Sequence, residues 1–180
     1  CLVGSEMCIR DRTEFNTRSF AKMSNGDGVT NVSHCAGLFF SHALGEIIRQ
    51  GYGMAMMWDI ENGYKDGQDH GMFASSKEPN VDWLNPHPSF YHYYYYNKCF
   101  GDTYYESHST SKLIRIHTST FSSGEIGIVA INISSEEEVL SLNIKNKSTG
   151  KIAGVFELSI DSPDSYTHLR AHEPDTDLVC

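Results

Sequence analysis

Apolar side chains recur at three- and four-residue spacing along residues 31–50, which is the period of one face of an α-helix. This pattern predicts an amphipathic helix over that range. Asn31 or Ser33 can supply the N-cap, because either side chain can accept a hydrogen bond from a free amide of the first turn. Gly51 follows the last apolar position and predicts the end of the helix.

Two stretches around this helix have the character of strands. Residues 53–59 are apolar as far as Trp58 rather than alternating, which is typical of a strand buried on both faces of a parallel sheet. Residues 13–17 are short and extended in character. A second helix is predicted over residues 89–100, and Pro88 would open it because proline is favoured in the first turn. The order strand, helix, strand, helix predicts parallel βα units.

The pattern changes after residue 104, where apolar and polar positions begin to alternate. Serine-rich and glycine-rich turn signals divide this region into short segments. Strands are predicted over residues 113–117, 127–133, 139–144 and 155–160. Short strands at regular spacing predict an antiparallel sheet or sandwich. We therefore expect an α/β domain over residues 13–102 and a small β-sandwich domain over residues 103–164.

Both ends of the sequence depart from these patterns. Residues 1–12 resemble a translated sequencing adapter, and residues 165–180 resemble the same kind of artefact. We therefore expect the natural chain to span residues 13–164. Within that range only Cys35 and Cys99 remain, so no disulfide framework can be argued, and two buried free thiols are expected.

The composition excludes several classes of partner. The formal net charge is −9 at pH 7, which does not suggest binding to nucleic acid or to an anionic membrane. No apolar run approaches the roughly 20 residues that a membrane span needs. The sequence also contains no glycine-rich phosphate loop, no Gly-x-Ser-x-Gly elbow and no Cys-x-x-Cys pair. We expect no cofactor.

Ligands of parallel α/β proteins gather at the carboxyl ends of the strands. One predicted strand end carries Glu14 and Asn16, and the other carries Trp58 and Asp59. A glutamate at such an end can be held rigidly enough to attack the anomeric carbon of a sugar. The indole of Trp58 offers a flat apolar face to a sugar ring. The alternatives are a solvated glutamate near a chain end and a tryptophan of the core.

The loop over residues 60–87 is long and rich in hydrogen-bonding side chains, and loops of this length inside a domain are usually functional. Asn62, Asp69 and His70 suit the hydroxyl groups of a sugar. A turn held together by its own polar side chains is an alternative interpretation. The adjacent pair Asp69 and His70 has poor geometry for a metal, and we expect no metal site.

Several of these features together resemble a known group of enzymes. The segment Thr13-Glu14-Phe15-Asn16-Thr17, the following helix and the strand ending at Trp58 resemble clan A glycoside hydrolases similar to β-xylosidases and α-L-arabinofuranosidases. The run Asp69-His70-Gly71-Met72-Phe73 resembles a loop of bacterial polysaccharide-degrading relatives, and many such enzymes carry a small β-sandwich after the barrel.

The resemblance implies a fold and a function. Residues 13–102 would be the last two βα units of a (β/α)8 barrel, followed by the small antiparallel β-sandwich. Glu14 would be the nucleophile of a retaining glycoside hydrolase acting on plant or algal polysaccharide or oligosaccharide, and Trp58 would line the catalytic subsite. Asn16, Asn62, Asp69 and His70 would contact the carbohydrate. The resemblance also implies a secreted or periplasmic enzyme.

One departure from the family pattern matters. Clan A enzymes carry their acid/base glutamate after an asparagine, and no Asn-Glu pair occurs in this chain. We therefore expect a C-terminal fragment without hydrolase activity of its own. A non-catalytic carbohydrate-binding or adhesion protein is the alternative, and an α/β enzyme of other chemistry with a structural Glu14 is a third.

Overall fold

The computed structural model describes residues 10–16, 32–65, 68–145, 154–159 and 170–172. These residues divide into two compact units, with the division between Tyr94 and Tyr95 and residues 154–159 in the second unit. None of the helices in the described part of the chain has the length and apolar character that crossing a bilayer requires. The barrel, the sandwich and the domain boundary near residue 102 stay predictions.

The first unit is built on a pair of parallel strands. Strand β1 covers Arg10–Phe15 and strand β2 covers Tyr52–Met57, with Phe15 opposite Met57. Helix α1, His34–Arg49, lies between them in the chain. Parallel neighbours need a crossover connection of this kind, because a tight turn can join only antiparallel strands. The two strands pair in parallel, as predicted, but three of the four registered positions of β1, Arg10, Asp11 and Arg12, lie in the segment that is expected to be an adapter artefact.

Helix α1 begins and ends as its sequence predicts. Ser33 is the N-cap, and its hydroxyl accepts a hydrogen bond from the Ala36 amide at 3.3 Å. Gln50 is the C-cap, and Gly51 follows with a φ of 70°, a conformation that glycine adopts without strain. The buried face of the helix contacts β1 through Phe40, whose ring stacks on Phe15 at 5.1 Å between centroids. Asn31, the alternative cap, lies outside the described residues.

Strand β2 is not buried on both faces, so that prediction is wrong. Met54 and Met56 are exposed, and so is Trp58 directly after the strand. These side chains share one face because side chains alternate along a strand. Ala55 and Met57 lie on the other face and are partly covered. In the described residues only the face that carries Phe15 and Met57 packs on a helix, which explains the difference.

Helix α2 covers Pro88–Cys99, close to the predicted range, with proline at its first position. Its first turns belong to the first unit. There the backbone of Gly37 in α1 lies directly against the ring of His92, and a β-carbon at Gly37 would overlap that ring. The ring of Tyr93 lies 5.8 Å from that of Phe40. The two helices therefore meet through aromatic rings and one glycine.

The second unit contains a three-stranded antiparallel sheet in the order β3-β4-β5. Its strands are Thr103–Tyr105, Ile114–Thr120 and Ile126–Asn132, and the β4–β5 register runs from Ile114 opposite Asn132 to Thr120 opposite Ile126. Strand β6, Glu157–Ser159, pairs antiparallel with β7, Arg170–His172. The strands predicted over 113–117, 127–133 and 155–160 are each found, the last of them shorter.

Two other predictions are corrected, one in this unit and one in α1 of the first unit. Residues 139–144 form no strand, and Val139 is 100% exposed. Their alternating pattern suits a strand, but among the described residues no neighbouring strand pairs with this backbone. Cys99 is a buried free thiol, as expected, and β5 packs closely on it because Gly127 has no side chain. Cys35, in contrast, is free but exposed, because it lies on the outer side of α1.

Candidate functional site

The strand ends bring Glu14 and Trp58 onto neighbouring backbone segments. The amide of Trp58 donates to the carbonyl oxygen of Phe15 at 3.0 Å, so the pairing of β1 and β2 continues to the tryptophan. Phe15 and Met57 are opposite each other and face α1. Glu14 precedes one and Trp58 follows the other, and the register of the two strands shifts between Arg12 and Phe15, so Glu14 lies in an irregular part of β1. Both are exposed, Trp58 at 47%.

Asn16 ties these strand ends to the loop that follows β2. Its side-chain amide donates to the backbone carbonyl oxygen of Trp58 and, at 2.9 Å, to that of His70. A side-chain amide that donates hydrogen bonds to two backbone carbonyl oxygens has its orientation fixed by the fold. Asn16 therefore positions Trp58, and the hydrogen bonds of its amide nitrogen are directed to the protein backbone.

Three short segments within residues 58–87 are hydrogen-bonded side by side, and we name residues 58–65 and 68–87 the strand-end loop. The first stretch, 59–61, bonds to the second, 72–74, through the Phe73 amide and the Ile60 oxygen at 3.0 Å. The second bonds to the third, 84–86, through the Ala74 amide and the Asn85 oxygen at 2.8 Å. The sequence predicts a loop here, and its backbone is hydrogen-bonded much like a small sheet.

Asp69 organises the turn at the centre of this loop. The residue is 1% exposed. Its Oδ1 accepts from the Gly71 amide at 2.7 Å and its Oδ2 from the Ser75 amide at 3.1 Å. A β-carbon at Gly71 would lie 2.7 Å from the Phe73 carbonyl oxygen, so the turn has no room for a side chain there. For Asp69, the interpretation of a turn held by its own polar groups is confirmed.

A buried pair that the sequence does not signal anchors the far side of the loop. Nδ1 of His87 lies 2.7 Å from the Gly71 carbonyl oxygen, and Nε2 lies 2.9 Å from Oε2 of Glu78. A carbonyl oxygen only accepts, so Nδ1 donates to it, and Nε2 faces the Glu78 carboxyl group. His87 is buried and Glu78 is largely covered. The hydrogen bond of His87 therefore attaches the segment that precedes α2 to the turn at Gly71.

Unsatisfied polar atoms lie next to Trp58. The Trp58–Asp59 peptide bond is cis. Oδ1 of Asp59 and Nε2 of His70 are buried, and neither has a hydrogen-bond partner among the described residues. Burial raises the pKa of Asp59, the charge of Asp69 adds to this, and His70 opposes it. The two atoms are therefore buried polar groups whose hydrogen-bonding capacity is not used by the described residues.

One residue remains of those predicted to contact carbohydrate. Asn62 is exposed, and its Oδ1 accepts from the Gly63 amide at 2.8 Å.

A separate open groove of about 320 Å³ lies between β1 and α1, lined by Phe15, Asn16 and Tyr52 among others. Neither Glu14 nor Trp58 lines it. This groove is therefore on the side of the strand pair that faces α1.

A second polar cluster connects α1 and α2 within the first unit. Ser41 Oγ lies 3.0 Å from Nδ1 of His92, and Nε2 of His92 lies 3.3 Å from Nδ1 of His34. With the serine donating to Nδ1, the Nε2–H of His92 donates to His34. Burial and the neighbouring His34 lower the pKa of His92 to about 3, and burial lowers the pKa of His34. The cluster is a neutral, buried helix-to-helix contact.

No protein-family model matches the sequence, and no curated protein and no solved structure matches it either.

Proposed function

We propose that this chain carries the nucleophile and one sugar-binding face of a retaining glycoside hydrolase that acts on plant or algal polysaccharide or oligosaccharide. The observation that supports the proposal most directly is the pairing of the strand ends. Glu14 and Trp58 are both exposed, at the carboxyl ends of two hydrogen-bonded parallel strands. Carboxyl ends of parallel strands are where catalytic residues of α/β enzymes gather.

The chemistry assigned to this face needs two carboxyl groups. The Glu14 carboxylate attacks the anomeric carbon of a ring that rests on Trp58, and the bond to the leaving oxygen breaks with its electron pair. A second carboxyl group, about 5–5.5 Å from the first, protonates that oxygen. It then deprotonates the water that releases the sugar from the glycosyl ester. Of these two carboxyl groups, we assign only the first to this chain, so we expect it to bind sugar without hydrolysing glycosides.

The surroundings of Trp58 support a polar ligand with an apolar face. Its backbone is held by the Phe15 carbonyl oxygen on one side and by the amide of Asn16 on the other. Asp59, the next residue, and His70 each carry a buried polar atom that has no partner among the described residues. Ligand sites combine apolar and aromatic surface with a few placed polar groups, and the exposed indole supplies the aromatic surface.

Fluorescence of the two tryptophans tests the binding. Trp83→Phe leaves Trp58 as the single indole, and Trp58→Phe leaves Trp83, since the chain contains two. We expect xylobiose or arabinobiose to change the emission of the Trp83→Phe variant and to leave that of Trp58→Phe unchanged. No response in either variant, with both folded by circular dichroism, would contradict the proposal.

Covalent labelling tests the nucleophile separately. A 2-deoxy-2-fluoroglycosyl fluoride of xylose or arabinose has a leaving group that needs little acid assistance, so it can esterify a nucleophile in a chain without the acid/base. We expect mass spectrometry to locate the label on Glu14. Glu14→Gln should abolish labelling, and Glu61→Gln, which alters another exposed glutamate, should not. Sugar binding without any label on Glu14 would favour the non-catalytic carbohydrate-binding alternative.

A further inference from the structure

Asn62 and Gly63 form an exposed pair in the strand-end loop whose groups can react with each other. Oδ1 of Asn62 accepts a hydrogen bond from the Gly63 amide at 2.8 Å. The backbone nitrogen of Gly63 therefore lies beside the side-chain carboxamide of the residue that precedes it. A bond between that nitrogen and Cγ of Asn62 would close a succinimide ring, and reacting groups that the fold already holds together react in an effectively unimolecular step.

The surroundings of Gly63 leave room for this ring. Nothing lies within 4 Å of the place that a β-carbon would occupy there. A side chain on the residue after an asparagine hinders attack on the carboxamide, and glycine has none. Glycine also gives the backbone the conformational freedom that ring closure requires. The pair is therefore sterically open to the reaction.

Other asparagines of the chain are less suited to this reaction. In the described part of the chain, Asn62 is the only asparagine that a glycine follows. Asn97 lies within α2, where the amide of the next residue belongs to the helical hydrogen-bond ladder. Asn85 precedes Pro86, whose nitrogen carries no proton. A second Asn-Gly pair, at residues 25–26, lies outside the described residues.

We propose that Asn62 is a site of spontaneous main-chain modification, at which ammonia is lost through a succinimide ring closed with Gly63. The Gly63 nitrogen gives its proton to hydroxide, and its electron pair forms the new bond to Cγ of Asn62. The bond from Cγ to Nδ2 breaks, and Nδ2 leaves with that electron pair and takes up a proton from water as ammonia. A water molecule then opens the ring. Its attack at Cγ gives aspartate, and its attack at the backbone carbonyl carbon of Asn62 gives isoaspartate.

Isoaspartate lengthens the main chain at a point where the loop is held on both sides. The Phe73 amide donates to the Ile60 oxygen at 3.0 Å before the pair, and the Tyr64 amide donates to Oγ of Ser75 at 3.0 Å after it. In isoaspartate the β-carbon becomes part of the backbone, so a methylene group is inserted between these two hydrogen bonds. The modification therefore displaces Tyr64 from Ser75. The inference does not depend on the proposed function, because the reaction needs only the two residues and water.

Incubation of the full, folded chain at pH 9 in water enriched in heavy oxygen, followed by peptide mapping with mass spectrometry, tests the inference. We expect the peptide that contains Asn62 to incorporate heavy oxygen and to separate into two products, with isoaspartate in excess. Conversion should be slower at pH 6, because the Gly63 nitrogen must lose its proton to attack. We expect Asn62 to convert roughly tenfold faster than Asn97, whose neighbouring amide is held away from its carboxamide by the helix.

Three variants separate the steps of the reaction. Gly63→Ala fits the fold, since nothing lies near the new carbon, but its methyl group hinders the attack and should slow conversion several-fold. Asn62→Gln needs a larger ring and should stay unmodified over the same period. Asn62→Asp adds the charge without lengthening the chain. We therefore expect hydrogen exchange at the Tyr64 amide to become faster in the isoaspartate form and to remain unchanged in Asn62→Asp.

The outcomes that overturn the inference are distinct. An intact Asn62 in a chain whose Asn25 converts would show that the fold protects the exposed pair. Equal rates in Gly63→Ala and the unaltered chain, or aspartate without isoaspartate, would exclude the succinimide route. Circular dichroism spectra of each variant establish that the comparison is made between folded chains.

Discussion

The side-chain amide of Asn16 donates to the backbone carbonyl oxygen of Trp58, and this bond joins the end of β1 to the residue that follows β2. The same amide reaches the His70 carbonyl oxygen at 2.9 Å. One side chain at a strand end thus determines where the indole and the turn that follows lie relative to the sheet. Three segments that are distant in the sequence depend on it.

Replacing Asn16 by alanine is therefore expected to disturb the candidate site and to lower stability. The change leaves two carbonyl oxygens without that donor, and losses of this kind cost about 1–3 kcal/mol each when the group is buried. We expect a decrease of about 1–2 kcal/mol in the free energy of unfolding, since the site is partly exposed. Urea denaturation measures it. Asn62→Ala is the control, because Asn62 bonds only to the amide of its own neighbour in the described contacts. Equal midpoints for the two variants would contradict the role of Asn16.

Stability is expected to fall on acidification through His92 and His34. Both have a lower pKa in the folded chain than the usual 6.5, so the unfolded chain binds protons first as the pH decreases. The two neutral rings make their full contribution to the free energy of unfolding above about pH 6.5. This contribution is lost progressively as the pH falls toward about 3. We expect a loss on the order of 4 kcal/mol from His92 across that range.

Thermal unfolding between pH 7.5 and pH 4 measures this dependence. A His92→Gln variant should show a flatter profile, because its side chain does not titrate. His108→Gln should keep the steep profile, since His108 is almost fully solvent-exposed. An unaltered chain whose melting temperature is the same at pH 7.5 and pH 4.5 would show that the histidines are not buried in their neutral form.

The contact between α1 and α2 predicts that Gly37→Ala destabilises the protein although alanine favours helices. A β-carbon at this position would overlap the His92 ring. Overpacking of this kind costs about 1–3 kcal/mol, and the gain in helix propensity of about 1 kcal/mol offsets part of it. We expect a net loss of about 1 kcal/mol or more by thermal unfolding. Gly63→Ala, where nothing lies within 4 Å of the new carbon, should be close to neutral.

The turn at Asp69 is expected to open when its carboxylate is replaced by an amide. In Asp69→Asn, one oxygen can still accept from the Gly71 amide, but the nitrogen that replaces the other faces the Ser75 amide, and two donors cannot bond. A buried donor left unpaired costs about 1–3 kcal/mol. Hydrogen exchange should become faster at the amides of residues 71 and 75. Unchanged exchange rates there would show that the carboxylate does not hold the turn.

Local elements of the fold could be predicted from the sequence because their signals are local. The cap at Ser33 and the glycine at position 51 define α1, and the alternation around Ile116 predicts β4. Exposure could not be predicted in the same way. An apolar strand such as β2 has the same sequence whether one or both of its faces are covered, and the difference depends on which elements lie next to it.

The residues of the candidate site, likewise, could be predicted from the sequence only in part. The rule that ligands bind at strand ends suffices to select Glu14 and Trp58 as candidates. It does not indicate that the side chain of Asp69 is buried. The sequence alone does not distinguish a carboxylate that accepts hydrogen bonds from backbone amides from one that contacts sugar. The histidine cluster gives no signal at all, since His34 and His92 are 58 residues apart and follow no period.

The uncovered face of β2 makes two thioethers accessible to oxidants. Met54 and Met56 are exposed there, whereas Met57 points toward α1 and is partly covered. Sulfoxide formation follows solvent access, so mild peroxide treatment should modify the first pair before Met57. Protection of that pair would then report, residue by residue, any partner or ligand that settles on the strand beside the indole.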